Sequence, residues 1–585
     1  MKAEQIKDFA KKYWVELCTF FLVLIVFLPS IPYGFQADWD DAYYVSSNPY
    51  LSFTWENICG CFSRSTLGLL TPLTTFSFMV DYLVWGGNEF AGGYRLTNIL
   101  FHCGAAVLFI RILKHLGIRD GLVFACVLFW AIQPQRLESV VWISERKDVL
   151  SMFFALFSFL VFMKAPGDWK RILISFFLFL LSLLAKPSAI GLPMVAAVYI
   201  CYWKPEKFKW KILLSGVILA TALSVCLFWY LKIRLSFLPM PSLFSVVFHN
   251  ALFYIVNGIF PWETNPCYPY VDWHDFWLVP AFLFLCVFTV YLARSTGFTW
   301  KKLGMTVLAF SVVYAALFAP FTGALKFNAT DYADRYSYFP NLAVWAFLGY
   351  FLEQVFREKS YLIPRFRIAG ILLFLFAAGS VLWYMPFWKD SQTLARWAVY
   401  SDDLPNDRFV IIHAKTGFIT QDPSPITESL EYLKRKQQYP AFPREHKNIK
   451  KGRDGTITVF DISAEILKGN FPQASVKIDR LISDSESLLL IDKDIYEDLF
   501  KYLVMQMFVI TKDEARLAAF EKWGKNKKDS KGKTVQDYAV TAFMKYHRKD
   551  YLGAISDWRE LLKEKKNSPD ILENIRRAEE KLKQQ

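Results

Sequence analysis

The residues best suited to chemistry stand close to the start of the chain, in Asp38-Trp39-Asp40-Asp41. Carboxylates this close repel one another, which favours a cation, a polar donor or a raised pKa beside them. They follow an apolar stretch, Trp14 to Pro32, close to the roughly 20 residues needed to cross a bilayer. A carboxylate where a chain leaves a membrane is costly unless it is solvated, paired or used. The competing reading is loop folding, since Asp favours turns and the turn signal Asn48-Pro49 follows.

Three further segments carry candidates. In 133–154, Glu138, Trp142 and Arg146 follow i,i+4 spacing, which predicts one helical face, and Glu145, Arg146, Lys147 and Asp148 crowd the start of the next apolar run. An ion-pair network anchoring that helix end explains them. So does a polar wall for an anionic headgroup, with Arg146 or Lys147 facing phosphate, Arg by a bidentate fork and Lys as a point charge. Lys186 precedes a helix-breaking Pro187 between two apolar runs, where it can hold an anion beside freed backbone groups or snorkel to the interface. Asp331, Asp334 and Arg335 suit either an internal Asp–Arg pair or a substrate contact. A fourth segment, Trp262, Glu263, Tyr268, Tyr270, Trp273 and His274, reads as an aromatic interfacial belt and as a weaker surface for stacking on sugar.

The elements that position these residues follow from hydropathy. The chain of 585 residues is 54% hydrophobic and 18% aromatic, too apolar for an ordinary soluble protein of this length. The apolar character ends near Trp388. An all-α architecture is expected: a polytopic transmembrane domain over 1–388, with a first outer loop at 34–93, then a soluble helical domain over 389–585. Eleven spans read at about 14–33, 96–116, 121–134, 148–164, 171–185, 187–203, 211–231, 277–293, 303–321, 340–356 and 367–386. The run 245–260, interrupted by His249 and Asn250, reads as a re-entrant helix. Lys and Arg then cluster in alternate loops, which puts the N-terminus in the cytoplasm and the C-terminal domain outside. The acidic loop 34–93, the segment 133–148 and the loops 262–275 and 322–339 are then all expected on the outer face.

The net charge of +14 is largely explained by those basic loops, so no nucleic-acid partner is expected. The Cys residues show no metal-type spacing with His. The first span lacks a small-residue cleavage site and reads as an anchor. In the tail, Tyr538, Ala542, Ala554, Trp558 and Leu561 fall where a tetratricopeptide repeat places packing residues, and a stretch around Gly469 and Ala474 has the same pattern. An ordinary helical bundle is the alternative.

Together these strings resemble polytopic membrane proteins with C-terminal tetratricopeptide repeats, especially bacterial ones, related to the eukaryotic transmembrane and tetratricopeptide repeat-containing O-mannosyltransferases of the GT-C glycosyltransferase superfamily. The matching residues are WDDAYYVSSNPYL (39–51), TPLTTFSFMVDY (71–82), GGYRLTNILFH (92–102), ESVVWISERKDVLS (138–151), LLAKPSAIGLP (183–193), ADRYSYFP (333–340) and FWKDSQTL (387–394). The family often has His at the positions of Thr71, Gln133 and Arg136, and sometimes of Tyr94 or Arg95; this chain has none there.

The resemblance implies transfer of a sugar from a polyprenyl-phosphate-linked donor to a protein or glycan hydroxyl on the outer face of a bacterial inner membrane (or the endoplasmic reticulum membrane of a eukaryote). It implies a catalytic acid in the first outer loop, here Asp40 or Asp41, with Asp38 a weaker third. That carboxylate would take the acceptor's proton. Arg146, Lys147, Lys186 or Arg335 would stabilise the departing phosphate, with Glu138 and Asp334 completing the donor site. A divalent cation is the one cofactor left open. The repeats would present a protein acceptor, since helical repeats make concave surfaces. Two other functions compete: a non-enzymatic scaffold displaying repeats, which would need few spans, and a flippase of lipid-linked sugar, which would be expected to show inverted repeats.

Overall fold

The computed structural model describes residues 3–205 other than 88, 240–323 with gaps at 262–263, 267 and 269–276, 332–400, and stretches of the remainder, chiefly 424–438, 538–564 and 569–584. The expected span 211–231, most of the aromatic loop, Asp331 and Gly469 lie outside the described residues. Two compact units divide the chain, Met1–Leu394 and Ala395–Gln585. Every named element among the described residues is helical.

In the first unit the helices are α1 (Ala3–Lys12), α2 (Trp14–Phe27), α3 (Trp55–Gly60), α4 (Pro72–Val84), α5 (Ala91–His115), α6 (Asp120–Ile132), α7 (Arg136–Val140), α8 (Arg146–Lys164), α9 (Trp169–Ala185), α10 (Leu192–Trp203), α11 (Met240–Ile259), α12 (Leu278–Ser295), α13 (Trp300–Phe318), α14 (Pro340–Glu358) and α15 (Ile363–Tyr384). Helices α2, α5, α6, α8, α9, α10, α12, α13, α14 and α15 overlap expected spans, α1, α3, α4 and α7 lie outside them, and at 245–260 α11 runs unbroken through His249 and Asn250. Among the described residues four stretches are long and apolar enough to cross a bilayer: Ala91–His115, Leu278–Ser295, Trp300–Phe321 and Ser360–Trp388. The apolar side chains of α12 and α15, such as Phe284, Val287, Ile368 and Leu372, point outward and are more than half exposed. In water that surface would be an aggregation liability; against lipid it is neutral. The protein is a membrane protein.

α5 is central, packed by α2, α6 and α8. The α8–α9 pair is stitched by serines: Ser158 and Ser175 hydroxyls donate to each other's carbonyls at 2.7 and 2.9 Å, and Ser182 donates to the Ser151 carbonyl at 2.7 Å. Small hydroxyl residues let helix backbones approach closely where no hydrophobic effect drives them together. Gly191 serves the same end: a Cβ there would lie 1.9 Å from the Ala316 carbonyl oxygen.

Arg95 holds the end of this bundle at which the acidic loop begins. It is 1% exposed. Its guanidinium donates to the carbonyls of Ser30 (3.2 Å), Tyr33 (2.8 Å) and Gly34 (2.7 Å), where α2 gives way to the first outer loop, and to Val141 (2.9 Å). One side chain thus satisfies carbonyls of two irregular segments.

In the second unit α16 (Ser391–Tyr400) spans the boundary and α17 (Ser424–Gln438) follows. The tail holds α18 (Tyr538–His547), α19 (Tyr551–Glu564) and α20 (Pro569–Lys583). Ala542, Ala554, Trp558 and Ile571 share one core, with Leu561 against it. The turn between α18 and α19 is closed by Asp550, which accepts from the Gly553 amide at 2.9 Å. The repeat-type packing positions therefore lie inside a helical layer.

Arg95→Ala should lower thermal stability in detergent sharply, because each orphaned buried carbonyl costs about 1–3 kcal/mol. Arg171→Ala, which removes an exposed 3.6 Å pair with Asp168, should cost at most about 1 kcal/mol. Melting curves of the two variants check the contrast.

Candidate functional site

The segment 136–146 is not one helix, and the expected face of Glu138, Trp142 and Arg146 does not form. α7 ends at Val140, Trp142 is extended (φ −73°, ψ 116°), a 3-10 turn covers Ile143–Glu145, and α8 begins at Arg146. The break persists because its carbonyls have partners: Arg95 on Val141, and the Asn98 amide on Trp142 and Ile143, both at 3.3 Å. The second break, at Pro187, is handled likewise. Thr74 donates to the Ala185 carbonyl and Ser151 to the Lys186 carbonyl, each at 3.0 Å.

These breaks turn charged side chains toward one another. Lys186 Nζ lies 2.7 Å from Asp148 Oδ1 and 3.1 Å from Glu145 Oε2. Lys147 Nζ lies 3.3 Å from Glu145 Oε1 and 4.6 Å from the centre of the Tyr44 ring. Arg335 pairs with Glu138, whose Oε2 also accepts from the Arg335 amide at 2.8 Å, and its Nε comes within 3.8 Å of Glu145. Glu138, Glu145, Lys147, Asp148 and Arg335 are all under 9% exposed, and Lys186 retains 14%. Burial would raise the Glu145 carboxyl, but Lys147, Lys186 and Arg335 outweigh it and hold it well below the usual range.

The neighbouring charges Asp334 and Arg335 face different partners. Asp334 accepts from the Thr264 and Tyr268 hydroxyls, the latter at 2.9 Å. Burial, reinforced by Glu138, pushes its carboxyl up to about 8. Arg146 also departs from its expected phosphate-facing position. Fully buried, it donates to Asp81 (2.5 Å), Asn98 and the Tyr94 carbonyl (2.7 Å), with the Phe78 ring 4.8 Å away. Asp81 and Asn98 lie within the strings 71–82 and 92–102, but neither is a candidate from sequence, because only the fold brings them to Arg146.

The acidic loop joins this cluster through Asp41. Its two oxygens accept from the Gln36 amide at 2.8 Å and the Ser144 amide at 2.9 Å, and it has no exposed surface. Burial lifts its carboxyl to about 6 despite those bonds. Beside it Trp39 stacks on Trp142 with ring centres 4.0 Å apart, and Arg335 lies 5.6 Å from the Trp142 ring. Segment 387–391 closes the group: the Gln36 side chain donates to the Trp388 carbonyl at 2.8 Å, and the Asp38 amide to Ser391 at 3.0 Å. Asp40 is only partly buried, and its charge bears on Lys147 and Tyr44. The fold therefore brings the acidic loop, 138–148, Lys186 and Arg335 together.

Gln133, Arg136 and Arg95, at positions where the resembled family often or sometimes has His, are buried and partnered. Gln133 donates to the Gly258 carbonyl and Arg136 to Ser337 at 2.6 Å. Among the described residues no group of three or more His, Cys, Asp or Glu side chains is arranged to hold a metal ion, and the clustered carboxylates are taken up by Lys and Arg.

Part of the chain is similar to known proteins. The chain is 29% identical over 133 residues to human protein O-mannosyl-transferase TMTC3, covering 22% of this chain and 14% of that protein. It is 29% identical over 140 residues to Drosophila melanogaster protein O-mannosyl-transferase Tmtc2 (23% and 15%). It is 33% identical over 135 residues to Xenopus laevis protein O-mannosyl-transferase tmtc2 (22% and 16%). The matched stretch is thus only about a sixth or less of each relative's length. No protein-family model matches the chain. The chain is similar to the transmembrane and tetratricopeptide repeat-containing O-mannosyltransferases over this stretch.

The Asp334 carboxyl gives a pH test. A group whose pKa is raised by folding contributes stability at low pH that is lost as the pH climbs from about 4 through about 8. Asp334→Asn cannot ionise, so its melting temperature should fall less than the parent's between pH 5 and 9. Parallel slopes for the two proteins would contradict the assignment.

Proposed function

We propose that the protein is a membrane glycosyltransferase of GT-C type, moving a sugar from a polyprenyl-phosphate carrier to a hydroxyl of a protein or glycan acceptor on the outer face of the membrane. The observation that carries this reading is the position of Asp40, a partly exposed carboxylate at the edge of a buried cluster of paired cations. The names of the similar proteins support the reaction class.

Asp40 is the general base. As the acceptor oxygen bonds to the anomeric carbon, Asp40 takes its proton, and the bond from that carbon to the phosphate oxygen breaks with its electrons going to the phosphate. Lys147, Lys186 and Arg335 receive the growing charge. Pairing with Glu138, Glu145 and Asp148 lets these cations stay charged after burial, which preorganises the site for an anion. Glu138 orients Arg335. Asp334 ties the turn that carries Arg335 to Thr264 and Tyr268. Asp41 and Arg146 are positioning residues: one ties the acidic loop to Ser144, the other ties α8 to α4 and α5 through Asp81 and Asn98. The N-terminus lies in the cytoplasm, and the second unit presents the acceptor outside.

A scaffold reading leaves the buried network without a use, since burying several charges merely to anchor a display domain is a costly arrangement.

The test is sugar transfer from a polyprenyl-phosphate hexose by purified variants. Asp40→Asn should lose about a hundredfold or more in rate while melting like the parent. Asp41→Asn, which turns an amide donor toward the Gln36 or Ser144 amide, should lose rate and stability together. Full activity in Asp40→Asn would remove the proposed base.

A further inference from the structure

The opposite end of the first unit carries a second group of cations. α5 and α8 both start at the acidic cluster and end at His115 and Lys164. From Asn98 to His115 the helix advances about 26 Å, close to the thickness of a bilayer's hydrocarbon core. α10 ends beside them, with Lys204 as its cap. Tyr199 ties the three ends together: its hydroxyl lies 3.1 Å from His115 Nε2 and 3.4 Å from the Met163 carbonyl oxygen. The charges of Lys164 and Lys204 bear on His115.

These cations differ from their neighbours. Arg111 and Lys114 on the same helix end are held by Glu16, at 2.8 and 3.3 Å. Among the described residues no carboxylate pairs with Lys164 or Lys204, and Lys164 and His115 are exposed. Two lysines without a carboxylate partner, beside an imidazole that burial and their charges keep toward its neutral form, favour an anion between them.

Next to them lies an apolar crevice between α5, α8, α10, α13 and α14, about 710 Å³ when the open space at its mouth is included. Leu116, Phe159, Tyr199 and Trp203 line its end nearest the cations, and almost all of its wall is apolar. From Ala189 to Trp203 it follows the chain for about 20 Å, longer than the roughly 15 Å depth of one leaflet. An apolar slot rimmed by unpaired cations matches a molecule with an anionic head and a hydrocarbon tail.

We propose that this end of the first unit binds an anionic phospholipid of the adjoining leaflet, its phosphate held by His115, Lys164 and Lys204 and one acyl chain in the cavity. On the orientation proposed above this is the cytoplasmic leaflet, whose anionic surface attracts such residues. The inference stands apart from the glycosyltransferase reading, because it uses no residue of the acidic cluster.

Native mass spectrometry of the full chain, titrated with phosphatidylglycerol and with phosphatidylcholine, tests it. The parent should bind phosphatidylglycerol at least about fivefold more tightly, and Lys164→Ala with Lys204→Ala should weaken that binding by about fivefold for each lysine removed. Ala155→Leu, which narrows the cavity, should weaken both lipids and keep the preference. Melting temperatures in lipid-free detergent confirm that the variants fold. Equal affinity for the two lipids, an unchanged preference in the lysine variant, unchanged binding in Ala155→Leu, or tighter binding of a polyprenyl phosphate than of phosphatidylglycerol would each overturn the proposal.

Discussion

Lys186 bridging Glu145 and Asp148 is the contact on which the candidate site of the first unit depends. Charges buried at a membrane boundary are tolerable only when paired and hydrogen-bonded. Lys186 stands where Pro187 stops α9, and Glu145 and Asp148 stand where the chain re-enters helix after Trp142. Each break would be costly alone. Together they place one cation between two carboxylates, and Arg335 and Lys147 extend the same network to Glu138 and Tyr44.

The surrounding structure is organised to keep that arrangement in register. Arg95 and Asn98 on α5 satisfy the carbonyls freed at 141–143, and Arg146 locks the start of α8 to α4 and α5. Asp41 then fastens the first outer loop to Ser144. What remains accessible is Asp40, beside Lys147. On the proposed reaction this is a division of labour between adjacent aspartates: the buried one positions and the partly exposed one takes the proton.

Much of this was legible in the sequence. Long apolar runs read as helices because a bilayer demands internally satisfied backbone, and the structure has helices at those positions wherever it describes them. The same constraint made charged residues beside apolar runs conspicuous, which singled out Asp40, Asp41, Glu138, Arg146, Lys147, Lys186 and Arg335. Their pairing was not legible. Glu138 meets Arg335 across 197 residues and Arg146 meets Asp81 across 65, and no periodicity encodes such distances. The helical face expected for Glu138, Trp142 and Arg146 failed because i,i+4 spacing assumes an unbroken helix, while Arg95 and Asn98 supply the bonds that let the helix break. Sequence alone also left Asp40 and Asp41 equivalent; burial separates them.

The central claim is that a lipid-linked donor places its phosphate on this network with its sugar facing Asp40. A cryo-electron microscopy structure with a non-hydrolysable polyprenyl-phosphonate sugar measures this directly. The account predicts phosphonate density within hydrogen-bonding distance of at least two of Lys147, Lys186 and Arg335, and the sugar ring against Asp40. Phosphonate density elsewhere in the membrane unit, with these three cations contacting only their carboxylates, would contradict it.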